Sequence, residues 1–322
     1  MNLINVLKQR IPNRSKRIVF PESCNVKILQ AAKLALDSEI CTPVLVGDPK
    51  EIKRVASSIG IDISEFIIES LNSDKHGLLV DHFTEKLADN EKIDKDKLSN
   101  DSLYYAAILV ASNEVSAMVA GIDYTSRDVI LVSRDVIGMK TGVNTFSSSF
   151  IMELPDDSLI TLADCATCKN PNATQLADIA MSTAETNSLI LGIESKIAFL
   201  SFSTKGSGGK DDSIDKINDA IIIISAAKPE LIVDGELQLD AAVNPEVARK
   251  KSPESPIRGD ANILIMPDLN SANILYKGIQ QFAKAKAYGP FLQGFNKSVS
   301  DLSRGATVDD IYGNILITVI RS

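Results

Sequence analysis

The run Arg17-Ile18-Val19-Phe20, followed by Pro21 and Glu22, leads into apolar residues at helical spacing from Val26 to Leu36. A second short apolar run follows from Pro43 to Val46. Two β-branched or aromatic runs separated by a 3.6-period segment read as strand, helix, strand. A connection of that length lets the two strands lie parallel. Gly47-Asp48-Pro49 closes the second strand and opens a helix through Val55, and Ala117 to Ala120 is a further strand ending at Gly121. This alternation specifies an α/β chain built on a mainly parallel sheet.

The pattern restarts near Thr145, with apolar runs at Ser147 to Met152 and Leu159 to Ala163. A helix is expected over Thr174 to Leu191, a strand over Ile197 to Phe202 and a helix over Ile214 to Ala227, with strands at Leu231 to Val233 and Ile263 to Met266. A chain of 322 residues exceeds one ordinary hydrophobic core, so two domains are expected. The charged stretch Glu85 to Asp101 reads as a solvated helix pair or excursion.

A hydrophobic fraction of 44% and a charged fraction of 24% are those of an ordinary globular chain, and the net charge of -8 argues against a nucleic-acid surface. An anionic ligand therefore needs a local site. No apolar run approaches the roughly 18 to 20 residues that span a bilayer. Four cysteines do not form a disulfide framework in a chain of this size, and a cytoplasmic protein with reduced thiols is expected. Cys165 and Cys168 form one CxxC pair, which supplies only two metal ligands, and His76 and His82 are distant in sequence.

Strand ends carry the ligand contacts of open α/β sheets. Here they hold Asp164, Ser201 to Ser207, Asp234-Gly235-Glu236 and Pro267-Asp268. The glycine-rich Ser203 to Gly209 segment suits a phosphate cradle with Lys205 as its charge, or is simply a strand-to-helix loop. Near the C-terminus, Asp301-Leu302-Ser303-Arg304-Gly305 precedes Thr307 and Asp310. A fixed guanidinium fork, a hydroxyl and a helix start suit an oxyanion. The structural reading of the same residues is a polar turn and a capping box of Thr307 with Asp310.

Taken together, Asp301 to Gly305, Gly289-Pro290-Phe291-Leu292-Gln293-Gly294, Gly259 to Asn262, and Pro267 to Asn270 with Ala272-Asn273 resemble the phosphate acetyltransferase family. So do Leu200 to Ser207, Asp234-Gly235-Glu236 with Asp240 to Ala242, and Ala163 to Ala166. The resemblance spans nearly the whole chain. It implies two α/β domains with mainly parallel sheets and an interdomain cleft, like isocitrate and isopropylmalate dehydrogenases. The first domain would comprise 1–145 plus 297–322, and the second, inserted, domain 146–296. It further implies a homodimer and reversible acetyl transfer between acetyl phosphate and coenzyme A through a ternary complex. Coenzyme A enters as substrate, and neither metal nor other cofactor is called for.

Carried over by position, Arg304 matches the family's phosphate-binding arginine, Ser303 its neighbouring hydroxyl and Asp310 the aspartate assigned as base for the thiol. Thr125 and Ser126 align with a small hydroxyl pair, as candidates for coenzyme A contact or for capping a helix. Lys205, Ser207 and Asn273 complete the expected substrate or coenzyme A contacts. The chain departs from the family where an Arg-Pro pair is usual, which here is Leu131-Val132. Arg127 and Arg134 lie four and three residues from Leu131, so on a continuous helix both share its face, as replacements for that charge or as solvent-facing arginines. An upstream family arginine falls near Lys86.

Three rivals share parts of this pattern. A phosphate butyryltransferase differs only in the acyl pocket, and a non-catalytic acetyl-CoA sensor is compatible with the missing arginine. A dehydrogenase on a similar fold would need a dinucleotide fingerprint, and no GxGxxG stands in the right context.

Overall fold

The structure is a computed structural model that describes residues 3–11, 16–87 and 95–322. The chain divides into two compact units. Ile4–Thr141 and Phe295–Ser322 form the first, and Gly142–Gly294, joined by Leu3, forms the second.

The first unit opens with helix α1 (Leu3–Arg10), then alternates β1 (Arg17–Phe20), α2 (Val26–Asp37), β2 (Thr42–Val46), α3 (Pro49–Ser58) and β3 (Ile67–Glu69). Helices α4 (Asp74–Lys86), α5 (Lys95–Asn100) and α6 (Ser102–Ala111) precede β4 (Ala117–Ala120) and α7 (Ser126–Val132). A π-helical turn, Ser133–Ile137, follows α7 directly. Part of the charged stretch Glu85 to Asp101, residues 88–94, lies outside the described residues.

The second unit contains β5 (Ser147–Glu153), β6 (Leu159–Ala163), α8 (Ala173–Leu191), β7 (Lys196–Leu200), α9 (Asp212–Ala227) and β8 (Ile232–Leu237). It continues through α10 (Leu239–Val243), α11 (Pro245–Lys251), β9 (Ile263–Ile265), α12 (Leu269–Phe282) and β10 (Lys286–Gln293). The chain then returns to the first unit with β11 (Ser298–Asp301) and α13 (Val308–Arg321).

In the first unit the strands run β3-β2-β1-β4-β11, and every pairing is parallel. Chain order reverses between β1 and β4, so the ends of these two strands flank the switch point where such sheets form a crevice. Ile18, Val19, Phe20, Met118 and Val299 are fully buried, as expected for parallel strands covered on both faces. Helices α2 and α13 pack on one another, and α6 packs on β1, β2 and β4. Each fully buried Ile or Phe contributes roughly 1.5–3 kcal/mol of transfer free energy.

In the second unit the order is β10-β5-β6-β9-β7-β8. The β10–β5 and β5–β6 pairs are antiparallel and the rest parallel. Two expected elements end elsewhere. The strand expected to reach Phe202 stops at Leu200, because the Ser201 hydroxyl accepts the Ser203 N–H at 3.2 Å and turns the chain, leaving Phe202 exposed. The strand expected to stop at Val233 continues to Leu237, so Asp234-Gly235-Glu236 lie within it. Gly235 permits this: a Cβ there would stand 2.8 Å from that of Phe199 on β7.

Candidate active site

The site of the first unit is assembled from three neighbouring strand ends. Beyond β1 stands Glu22, only 7% exposed, whose carboxylate accepts the backbone N–H groups of Gly121 (3.0 and 3.1 Å), Asp123 (2.7 Å) and Tyr124 (2.9 Å). One carboxylate thus fixes the chain leaving β4. The Ser23 hydroxyl donates to the Phe20 carbonyl and accepts the Val46 N–H at 2.7 Å, which ties the ends of β1 and β2 together.

β11 ends at Asp301, and the chain then passes Leu302 and turns at Ser303. The Leu302 N–H donates to the Ala120 carbonyl at 2.6 Å, so the strand ends stay in register, and the Ser303 carbonyl accepts the Ala306 N–H at 2.9 Å. Lys27 on α2 donates to the Ala306 carbonyl at 2.8 Å from the far side. At the apex of this braced turn Arg304 is exposed, with no hydrogen bond or ion pair among the described residues. It borders a cavity of about 720 Å³, whose wall includes Glu22, Asp48, Glu51 and Asp123 and is opposed by Arg304 and Lys27 as its basic residues. Among the side chains of a wall so acidic, Arg304 and Lys27 are the ones that attract an anion.

Asp310 stands in the first turn of α13. Its Oδ2 accepts from the Thr307 N–H (2.9 Å) and the Thr307 hydroxyl (2.8 Å), and Thr307 Oγ1 accepts the Asp310 N–H at 3.2 Å. The capping box is therefore complete. It also orients the carboxylate, six residues after Arg304 in the chain.

Thr125 caps α7 in the same way, in a box with Asp128, and Ser126 follows exposed at the first helical position. Arg127 is exposed on α7, whereas one edge of the Arg134 guanidinium, Nε and Nη2, donates to the two oxygens of Asp135, at 2.7 and 3.1 Å. The π-helical turn begins at Ser133, one residue before Arg134, and Ser133 itself keeps α-helical dihedrals (φ -61°, ψ -43°). Lys86, at the end of α4, lies over the Phe83 ring at 5.0 Å.

In the second unit the expected loop contacts are engaged internally. Lys205 Nζ pairs with Asp234 and donates to the Gly235 carbonyl at 2.9 Å. Glu236, 3% exposed, accepts the Gly206 N–H at 2.7 Å and the Ser203 hydroxyl at 2.9 Å. A carboxylate of the chain itself thus takes one amide of the loop that would cradle a phosphate, that of Gly206. Ser207 Oγ accepts the Thr204 N–H at 3.0 Å, and the Asn273 amide lies 3.4 Å from the Tyr276 hydroxyl on α12. Asp164 accepts from Ser148, Ala166, Thr167 and Cys168, and Asp268 caps α12.

Two carboxylates of the first unit, Glu22 and Asp301, are buried, which their sequence does not announce. Burial pushes the Glu22 carboxyl up, against the opposing effect of its backbone hydrogen bonds. Asp301 is 1% exposed, and neither of its oxygens makes a hydrogen bond of ordinary geometry. Burial pushes it up to about 7, with the Glu22 charge adding to the rise and the Ser126 hydroxyl opposing it. Their sequence signal is a carboxylate at or just beyond the end of a strand of a parallel sheet.

Comparison with known proteins places the chain in a family. The family model "Phosphate acetyl/butaryl transferase" matches residues 2–319. A phosphate acetyltransferase of Treponema pallidum is 39% identical over 336 residues, covering 100% of this chain and 99% of the relative. The crystal structure of a phosphotransacetylase from Streptococcus pyogenes aligns with a TM-score of 0.93 and 36% identity, over 99% of this chain and 97% of that one. A 4-hydroxythreonine-4-phosphate dehydrogenase from Klebsiella pneumoniae, 11% identical with a TM-score of 0.56 over 96% and 100% of the two chains, shares the fold alone.

Proposed function

The chain belongs to the phosphate acetyl/butaryl transferase family, and we propose that it moves acetyl groups reversibly between acetyl-CoA and phosphate at the Ser303–Asp310 turn. It is an enzyme of the acyltransferase class. The observation that carries the assignment of the site is Arg304, an exposed guanidinium free of partners among the described residues, on a turn braced by Leu302, Ala306 and Lys27.

In the direction of acetyl-CoA formation, the phosphoryl oxygens of acetyl phosphate lie against the Arg304 fork, with the Ser303 hydroxyl as a further donor. The thiol of coenzyme A is mostly protonated near neutral pH, and its thiolate is the nucleophile. Asp310, held by the Thr307 cap, takes the thiol proton as sulfur approaches the carbonyl carbon. The C–S bond forms, the carbon–oxygen bond to phosphate breaks, and the electron pair leaves on a phosphate oxygen neutralised by Arg304. The departing phosphate takes the proton from Asp310, which returns the carboxylate to its starting state.

Thr125, Ser126, Arg127 and Arg134 are the first unit's candidates for coenzyme A contact. Of the two arginines, Arg127 is the one without a carboxylate partner among the described residues. Lys205, Ser207 and Asn273 remain candidates from the second unit. The test is acetyl-CoA formation from acetyl phosphate and coenzyme A by purified protein, with butyryl phosphate as the competing acyl donor. Turnover with acetyl phosphate is expected; binding of acetyl-CoA without turnover would overturn the assignment.

A further inference from the structure

The loop from β4 to α7 is wrapped on the carboxylate of Glu22. Oε1 accepts the N–H groups of Gly121, Asp123 and Tyr124, and Oε2 accepts that of Gly121 as well, all at 2.7–3.1 Å. The side chains of the loop are tied down separately. Asn25 Nδ2 donates to both oxygens of Asp123, at 3.2 and 3.1 Å, and the Tyr124 hydroxyl donates to Asp101 at 3.0 Å. The Thr125 hydroxyl is committed to Asp128 in the capping box, and Ser126 follows, exposed.

This loop shares a cavity with the Arg304 turn. Ile122 and Asp123 line it, as does Glu22, and Arg304 borders it. The two segments leave neighbouring strands, β4 and β11, held in register by the Leu302 N–H on the Ala120 carbonyl. Taking a carboxylate out of water carries a desolvation cost, which hydrogen bonds to one loop offset only while that loop keeps its shape. Glu22, 7% exposed, therefore fixes a wall of the cavity.

We propose that Glu22 is a positioning residue for coenzyme A: by holding the amides of Gly121, Asp123 and Tyr124 it sets the cavity wall at Ile122 and Asp123 and presents Ser126 to the coenzyme A whose thiol meets acetyl phosphate at Arg304. The proposal rests on the reading of the Ser303–Asp310 turn as the site of acetyl transfer. Glu22 acts through the loop, because both of its oxygens are engaged by amides. The Arg304 turn is braced by bonds that Glu22 does not make, those of Leu302, Ala306 and Lys27. Releasing the loop thus weakens the hold on coenzyme A and leaves that on acetyl phosphate in place.

The test is the pair of KM values, for coenzyme A and for acetyl phosphate, in Glu22 variants. Glu22→Ala is expected to raise KM for coenzyme A roughly 10–100-fold while KM for acetyl phosphate stays within about twofold. Glu22→Gln keeps an acceptor at the Oε1 position and loses the one at Oε2, so its rise should be smaller, roughly threefold to tenfold. Being isosteric, it carries the test should the alanine variant not fold. Combining Glu22→Ala with Ser126→Ala should raise KM for coenzyme A no further than the worse single variant, to within about twofold. A merely structural role would lower stability and the active fraction and leave the ratio of the two KM values unchanged. An unchanged KM for coenzyme A, or equal rises in both KM values, would overturn the proposal. Arg304→Ala measured in parallel separates the two readings. Wild-type activity there refutes the assignment of the turn and this proposal with it, whereas lost activity there with an unchanged KM for coenzyme A in the Glu22 variants removes this proposal alone.

Discussion

A Cβ added to Gly121 would lie 2.2 Å from Asp301 Oδ1 and 2.7 Å from the Leu302 nitrogen, so β4 and β11 meet at a point where only glycine fits. Gly121 also has φ +109°, which L residues rarely adopt. Gly121→Ala is therefore expected to cost more than about 2 kcal/mol in urea unfolding, from backbone strain and the clash together. Gly305 has no such constraint, its nearest neighbour to an added Cβ being Ser303 Oγ at 3.9 Å. Gly305→Ala should stay within about 0.5 kcal/mol of wild type.

The cap and the base can be separated at the start of α13. Thr307→Ala removes the hydroxyl that Asp310 both accepts from and donates to, and should cost about 1 kcal/mol of stability with kcat little changed. Asp310→Asn keeps an acceptor oxygen for the Thr307 N–H but abolishes the base, and kcat should fall by roughly 10²–10⁴. Steady-state kinetics and thermal unfolding of the two variants distinguish these outcomes. Equal kcat in both would remove Asp310 from proton transfer.

Asp301 makes stability depend on pH in a definite direction. Its folded-state pKa is raised from 3.8 to about 7, so between those values the folded state holds a proton that the unfolded state has lost. The contribution is fully present below the unfolded pKa and is lost as pH rises through the folded one. Wild type should lose roughly 1–4 kcal/mol relative to Asp301→Asn between pH 4 and 8, levelling off above. Glu22, also raised, acts in the same sense and is common to both proteins. Parallel urea unfolding across this range measures the difference.

In the second unit, Lys205→Met should leave Asp234, 8% exposed and already carrying one unpartnered oxygen, without its ion-pair partner. A loss of about 1–2 kcal/mol is expected, at the lower end for a buried acid because the lysine side chain is 40% exposed. Adding Asp234→Asn should recover most of it. A double-mutant cycle on thermal stability reads the coupling.

The βαβ alternation was legible because β1, β2 and β4 are uninterrupted apolar runs buried on both faces. Strands β10 and β11 were not. β10 contains Gly289-Pro290, which punctuates a sequence as a turn, yet here it falls at the register shift between Tyr288 and Phe291. β11 reads Ser-Val-Ser-Asp and looks solvated, although Ser300 is buried in a hydrogen bond with Thr318 at 2.6 Å. Ser303, Arg304 and Asp310 stood out as a motif because their side-chain types suit an oxyanion, the role proposed for them. Glu22 and Asp301 were not, because only tertiary packing turns an ordinary carboxylate after a strand into a buried one. The internal pairing of Lys205 was equally hidden, as Asp234 is 29 residues away.

The most direct measurement is kcat/KM for acetyl phosphate in Arg304→Ala and Arg304→Lys. Loss of the guanidinium should lower it by roughly 10²–10³, with lysine intermediate because it keeps the charge and loses the fork. Wild-type kcat/KM in Arg304→Ala would contradict the assignment of phosphate binding to this turn.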